Sequence, residues 1–151
     1  MEKDSKIQIR DLLASDYKNG FINVLSHLTE TGNITEDMFV SQYDLLKYKK
    51  DYKIVVAIDT TTQKIVGTGT LFIEHKFIRS LATKGHIEDI VVLPDYRGQH
   101  IGQRIIQTLL DCSISLKCYK TALCARDDAV EFYKKCGFEP SEREMVIYHS
   151  K

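Results

Sequence analysis

At 151 residues, with 43% apolar and 28% charged side chains, the sequence reads as one globular domain, residues 1–151, long enough to bury a core. Its 21 basic and 21 acidic side chains cancel, so nothing global draws the chain to nucleic acid or an anionic membrane, and any anion site must be local. No apolar stretch approaches the roughly 20 residues of a membrane span, and the charged opening MEKDSKIQIRDLL lacks the apolar core of a signal peptide.

In chain order, KIQIRDL alternates and predicts a first strand. Ser15 or Asp16 then caps a helix carrying Tyr17, Phe21, Val24, Leu25 and Leu28 at helical spacing, broken at Gly32 and Asn33. A second helix starts near Thr35, with Phe39, Tyr43 and Leu46 as its stripe. YKIVVAID, the turn TTTQK and IVGTGTLFIE predict a hairpin, HKFIRSLATKG reads as irregular, and HIEDIVVL is another strand. Ile101, Ile105, Ile106, Leu109 and Leu110 mark a helix. YKTALCA is a strand, and DDAVEFYKKCG a short helix capped by Asp127 or Asp128 and stopped by Gly137. FEPSEREMVIYH closes as strand, turn and strand. The order β, α, α, β, β, β, α, β, α, β predicts a mixed α/β fold, antiparallel in its first half and βαβ in its second.

The stretch LPDYRGQHIGQRIIQTLL runs from a strand through a glycine turn into a helix. A helix start presents unpaired N–H groups and the positive end of its dipole. Gly98 and Gly102 would let the backbone wrap an anion, with Arg97 supplying charge. Gln103 after Gly102 excludes the Walker pattern, and His100 in the middle position excludes GxGxxG. Read alone, the turn is equally consistent with a plain strand-to-helix connection.

RGQHIG resembles the pyrophosphate loop Arg/Gln-x-x-Gly-x-Gly/Ala of the Gcn5-related N-acetyltransferases at Arg97 and Gly102. GHIEDIVV, CYK at 118–120, FYKKCGF at 132–138, LSHLTETG and KFIR at 76–79 narrow the likeness to the branch of that superfamily acting on glucosamine 6-phosphate. The resemblance implies the GNAT fold, a mixed central sheet with a splayed pair of strands flanked by about four helices. It also implies a homodimer with the acceptor site near the interface, and acetyl transfer from acetyl-CoA to the 2-amino group of glucosamine 6-phosphate, on the route to UDP-N-acetylglucosamine. A GNAT protein acetylating another small amine, or a silent acetyl-CoA-binding domain, are the alternatives. Three departures bear on the choice: Cys124 where an acidic residue is usual, Ala129 for a common asparagine, and Tyr148 for a phosphate-binding arginine.

On this resemblance acetyl-CoA lies along Ile90, Val91, Val92, Arg97, Gly98, Gln99, His100, Ile101, Gly102 and Gln103, with Tyr133 near its sulfur. The acceptor takes Thr29, Lys76, Phe77, Ile78, Arg79, Glu88, Asp89, Ile90, Tyr119, Lys120 and Cys124. Chemistry requires a neutral amine, a polarised carbonyl and a protonated thiol. The implied Ile90 amide faces the thioester oxygen, a contribution of about 3 kcal/mol. Glu88 and Asp89 would point to opposite faces of a regular strand, so one orients the amine while the other acts through backbone or water, unless both are simply solvated. Tyr133 either packs its helix or protonates the thiolate, a phenol of pKa about 10 serving a thiol of about 8.5. Lys76, Arg79 and Lys120 are the phosphate candidates, with Arg79 or His149 sharing the load if Tyr148 replaces an arginine. Cys124 is either a small buried hydrophobe or a neutral group lining the pocket, where Lys120 would lower its pKa. Cys112, Cys118 and Cys136 read as structural; no CxxC or metal spacing occurs, so no metal and a reduced, cytoplasmic setting are expected.

Overall fold

The computed structural model describes residues 6–149. Five strands form one sheet in sequence order: β1 (Ile7–Asp11), β2 (Tyr52–Asp59), β3 (Lys64–His75), β4 (Thr83–Val92) and β5 (Lys120–Ala122). The first four pair antiparallel, and β5 joins β4 in parallel through a helical crossover. This is the antiparallel half followed by βαβ that the sequence predicts.

Both faces of the sheet are covered. α1 (Phe21–Ser26) and α2 (Glu36–Lys47) bring Phe21, Val24 and Phe39 against Val56, Ile58, Ile65 and Val91. On the other face α4 (Ile101–Ser115) lays Ile101, Ile105, Ile106 and Leu109 on Val55, Ala57, Val66, Leu71 and Ile87. A short α5 (Val130–Lys135) packs Phe132 and Tyr133 beside that second cluster. Strand residues alternate between the clusters as a pleated sheet requires, Val55 and Ala57 to one and Val56 and Ile58 to the other.

Four predicted elements come out differently. The first helix is split: a 3-10 turn at Ala14–Tyr17 precedes α1, and Gly20, at φ 91°, separates them. Asp16 therefore caps from inside the turn, accepting the Leu13 N–H at 2.8 Å. Its carboxylate is buried, which raises its pKa, but bonds from Arg10, Leu13 and Asn19 outweigh burial and hold it below the ordinary aspartate value. HKFIRSLATKG is not wholly irregular, because β4 begins at Thr83 and a tight turn, α3 (Ile78–Leu81), precedes it. Arg79, Ser80 and Leu81 there all have left-handed backbones, at φ 51°, 57° and 65°, costly for non-glycine residues. The closing FEPSEREMVIYH forms no strand among the described residues, and YKTALCA contributes only three paired positions. A strand exists only where a neighbour completes its hydrogen-bond ladder, and the described residues offer the C-terminal segment none.

The feature that shapes the site is in β4. Thr68 of β3 pairs with Val91 and Thr70 with Glu88, so Asp89 and Ile90 together oppose Gly69. This is a bulge, with Asp89 left-handed at φ 53°. The extra residue reverses the side-chain alternation: Ile87 packs toward α4, whereas Val91, four positions on, packs toward α1 and α2. Gly69 makes the room, since a Cβ there would lie 2.5 Å from Ile90 Cδ1 and 2.7 Å from Ile105 Cγ2. Gly69→Ala is expected to destabilise the fold by about 1–3 kcal/mol through overpacking, read as a lowered denaturation midpoint at unchanged m-value.

Candidate functional site

Pairing between β4 and β5 covers only Lys84–His86 against Lys120–Ala122. Beyond His86 the strands part, and the rest of β4 has an open edge toward β5. A groove of about 890 Å³ occupies the gap, running from Glu88 along Ile90, Val91 and Val92 to the start of α4. α5 forms its opposite wall through Phe132 and Tyr133. Because of the bulge, Glu88 and Asp89 both line the groove, rather than facing opposite sides as on a regular strand.

At the far end the chain turns through Pro94–Tyr96 and Gly98 into α4. Gly98 has φ 78° and His100, the N-cap, φ 61°; neither the cap side chain nor an earlier turn satisfies the first amides of α4. The first intrahelical bond comes from Arg104 N–H to the His100 carbonyl. His100 Nδ1 lies 3.0 Å from Gln103 Oε1, and Arg97 Nε donates to the Val92 carbonyl at 3.3 Å. Gly102 passes under the Phe132 ring, where a Cβ would come within 3.1 Å of Cζ. Every residue expected along the co-substrate lines the groove except Gln99.

Tyr133 is half-buried between Phe132 and Phe138, at centroid distances of 5.1 and 6.2 Å. Burial pushes its phenol above the ordinary tyrosine value, with Cys136 adding to the effect, so it is a proton donor throughout the neutral range. The Glu88 carboxyl is also raised, first by desolvation and then by Asp89, against the opposing pull of His86. A carboxylate shifted upward is a better proton acceptor at neutral pH than an ordinary one.

Cys124 is exposed and lines the groove, which excludes the buried-hydrophobe reading. Its thiol pKa is raised, not lowered: desolvation leads, followed by the Glu144 and Glu88 charges. The cation acting on it is Lys84, which opposes the rise, and not Lys120 as the sequence suggested. A thiol held protonated is a poor nucleophile. The other cysteines, Cys112, Cys118 and Cys136, are half-buried beside the α4 core.

The remaining acceptor candidates lie outside the groove. Thr29 follows its lining residues His27 and Leu28, the latter exposed rather than in the core. Tyr119 donates its backbone N–H to the Thr83 carbonyl, and its ring lies 4.8 Å from the Arg79 guanidinium and 5.5 Å from Lys120 Nζ. Lys76 is ion-paired with Glu74, which also meets His86 Nε2 at 3.0 Å. Phe77 and Ile78 are exposed, Phe77 by 93%. Lysine and arginine thus gather around one tyrosine at the paired end of β4, four residues, or about 13 Å of extended chain, from Glu88.

Sequence reasoning missed two parts of this site. Tyr96 lines the groove and donates its hydroxyl to Asp59 Oδ2 at 2.8 Å, tying the turn before α4 to the end of β2. No local pattern connects residues 37 positions apart. Arg126 and Lys135 add positive charge to the α5 wall, though Arg126 is paired with Asp128 at 3.0 Å.

The Acetyltransferase (GNAT) family model matches residues 9–138, from β1 to just beyond α5. Glucosamine 6-phosphate N-acetyltransferase 1 of Dictyostelium discoideum is 40% identical over 146 residues, 96% of this chain and 92% of that protein. The crystal structure of glucosamine-6-phosphate N-acetyltransferase from Arabidopsis thaliana superposes with a TM-score of 0.93 at 36% identity, covering 95% of this chain and 99% of the other. An acetyltransferase crystal structure from Trypanosoma brucei gives 0.88 at 34%, over 94% and 99%. Bulged strand, open edge and amide-lined turn are thus held within a chain that belongs to the acetyltransferase (GNAT) family.

Proposed function

We propose that this chain is a glucosamine 6-phosphate N-acetyltransferase that takes its acetyl group from acetyl-CoA. The observation that carries the reading is the open, bulged edge of β4 leading directly into the unsatisfied amides at the start of α4. An extended amide-bearing arm fits the first, and a pyrophosphate fits the second. The relatives that match over nearly the whole chain supply the acceptor.

In this reading the α4 amides, with Arg97 and the Gly98 turn, hold the pyrophosphate, and the arm pairs with Ile90–Val92. The Ile90 amide, displaced by the bulge, donates to the thioester oxygen as charge builds there. Glu88 and Asp89 orient the amine of the sugar, and the amine attacks the thioester directly. Tyr133 delivers its proton to the departing sulfur. The raised Cys124 thiol speaks against a cysteine-bound acetyl intermediate. The sugar phosphate is assigned to Arg79 and Lys120 beside Tyr119, with Lys76 already committed to Glu74.

We further propose that the chain works as a homodimer. Met145, Val146, Ile147 and Tyr148 are exposed, Met145 by 93% and Tyr148 by 84%, on a segment with no ladder partner among the described residues. Phe77, Ile78 and Leu81 expose more apolar surface at the strained turn. A second copy offers the segment a strand partner and covers both patches, which would bring the Arg79 turn close to the interface.

Three outcomes are expected. Purified protein with acetyl-CoA should release CoA with glucosamine 6-phosphate but not with glucosamine or a polyamine; release confined to another amine would replace the proposed acceptor. Tyr133→Phe should lower kcat by about 100-fold at unchanged KM for acetyl-CoA, as loss of a general acid requires; an unaltered kcat would mean the ring only packs. Light scattering should give twice the chain mass, and Ile147→Glu should shift it to one.

A further inference from the structure

The turn assigned to the pyrophosphate is tied on both sides to one corner of the sheet. Before the turn, the Tyr96 hydroxyl donates to Asp59 Oδ2 at 2.8 Å. After it, Arg104 in the first turns of α4 donates from Nη2 to the Ile7 carbonyl at 2.9 Å. Ile7 and Asp59 are partners in the β1–β2 ladder, so both side chains reach a single cross-strand pair. That pair is fixed from its own side as well. Asp59 is buried, and its other oxygen accepts the N–H groups of Thr61 at 2.8 Å and Thr62 at 3.3 Å. Thr60 bonds the Lys6 carbonyl through its N–H at 2.7 Å and its hydroxyl at 2.9 Å. The Tyr96 bond and then the Thr61 amide hold the Asp59 carboxyl below its ordinary value, so it is an acceptor throughout the neutral range.

The turn between the two ties has little to hold itself. The N–H groups of Tyr96 and Arg97 close onto Leu93 and Pro94, and the next backbone bond runs from Arg104 to His100. Gly98 and His100 keep left-handed backbones between them, and such strain persists where the surroundings impose it. Arg104 does not line the groove, and the Tyr96 hydroxyl is spent on Asp59. We infer that Tyr96 and Arg104 are positioning residues for acetyl-CoA, which by bonding the Ile7–Asp59 corner hold the Arg97–Gln103 turn in its anion-binding shape before the ligand arrives. The inference rests on the acetyl-CoA reading above and deepens it. A turn already in its bound shape loses less entropy on binding, so the ties act on affinity for the co-substrate and not on the chemical step.

The test titrates CoA into the full chain by calorimetry. Tyr96→Phe and Arg104→Met should each weaken CoA binding by about 5- to 10-fold, the loss of one hydrogen bond. Arg104→Lys, which keeps a donor, should bind better than Arg104→Met. Asp59→Asn, whose amide can still bond the hydroxyl, should fall between wild type and Asp59→Ala. In the Tyr96→Phe background, Asp59→Ala should cost little further affinity, because the bond between them is already gone. In turnover, KM for acetyl-CoA should rise while kcat and KM for the acceptor stay at the wild-type values, a split that general loosening of the fold would not give. Unchanged CoA affinity in Tyr96→Phe or in Arg104→Met, full additivity of Tyr96→Phe with Asp59→Ala, or an equal loss of acceptor binding overturns the inference. If the wild-type protein binds CoA and acetylates no amine, the acetyl-transfer reading falls and the two ties are judged on CoA affinity alone. If it binds no CoA, both fall.

Discussion

Everything at the site depends on fitting two residues of β4 against one of β3. Asp89 and Ile90 share the space opposite Gly69, and only a residue without a side chain lets the Ile90 methyl and α4 approach that closely. The bulge costs a left-handed backbone at Asp89, among the few non-glycine residues that tolerate one. In exchange it turns β4 from one face to the other: Ile87 anchors the α4 side and Val91 the α1 side, so the strand is fixed at both ends while its middle is displaced. The displaced middle is the floor of the groove. Without it, Glu88 and Asp89 would point apart.

The second constraint is the separation of β4 from β5. The crossover through α4 brings the chain back to pair at three positions in parallel register, and beyond Ala122 it leaves β4 toward α5. What keeps the gap open is the wall on its far side. Phe132 closes on Gly102, and Tyr133 is wedged between two aromatic rings. The same contacts that pack α5 also set the depth at which the phenol meets the groove, and burial at that depth keeps it protonated. Packing of the Tyr133 ring therefore also sets its protonation, since the contacts that bury it hold the phenol in its protonated form.

Much of this was legible in the sequence. The i, i+4, i+5, i+8 pattern of Ile101, Ile105, Ile106 and Leu109 gave α4 its buried stripe, since a periodic apolar face has one way to be covered. The loop from Arg97 to Gln103 was legible because its glycines and the following helix are local. Features that depend on contacts between distant segments were not. Gly20 divides a stretch whose apolar spacing reads as one helix, because a left-handed residue interrupts the hydrogen bonds without disturbing the pattern. The bond from Tyr96 to Asp59 leaves no periodic trace at all. The closing segment illustrates the limit most directly: its apolar run from Met145 to Tyr148 is real, but a strand is a property of two segments, and the run describes only one.

Cys124 follows from the same crowding of charge. Glu88 and Asp89 already bring like charges together at the open end of the groove, where burial and then the Asp89 charge raise the cost of ionising Glu88. A further carboxylate after β5 would have to compete with them for the same cations, Lys84 and His86, the second of which is already engaged by Glu74. A thiol avoids that competition. Burial, and after it the charges of Glu144 and Glu88, keeps the proton on its sulfur. The position thus trades a charge for a neutral group at the end of the groove that Glu88 and Asp89 line.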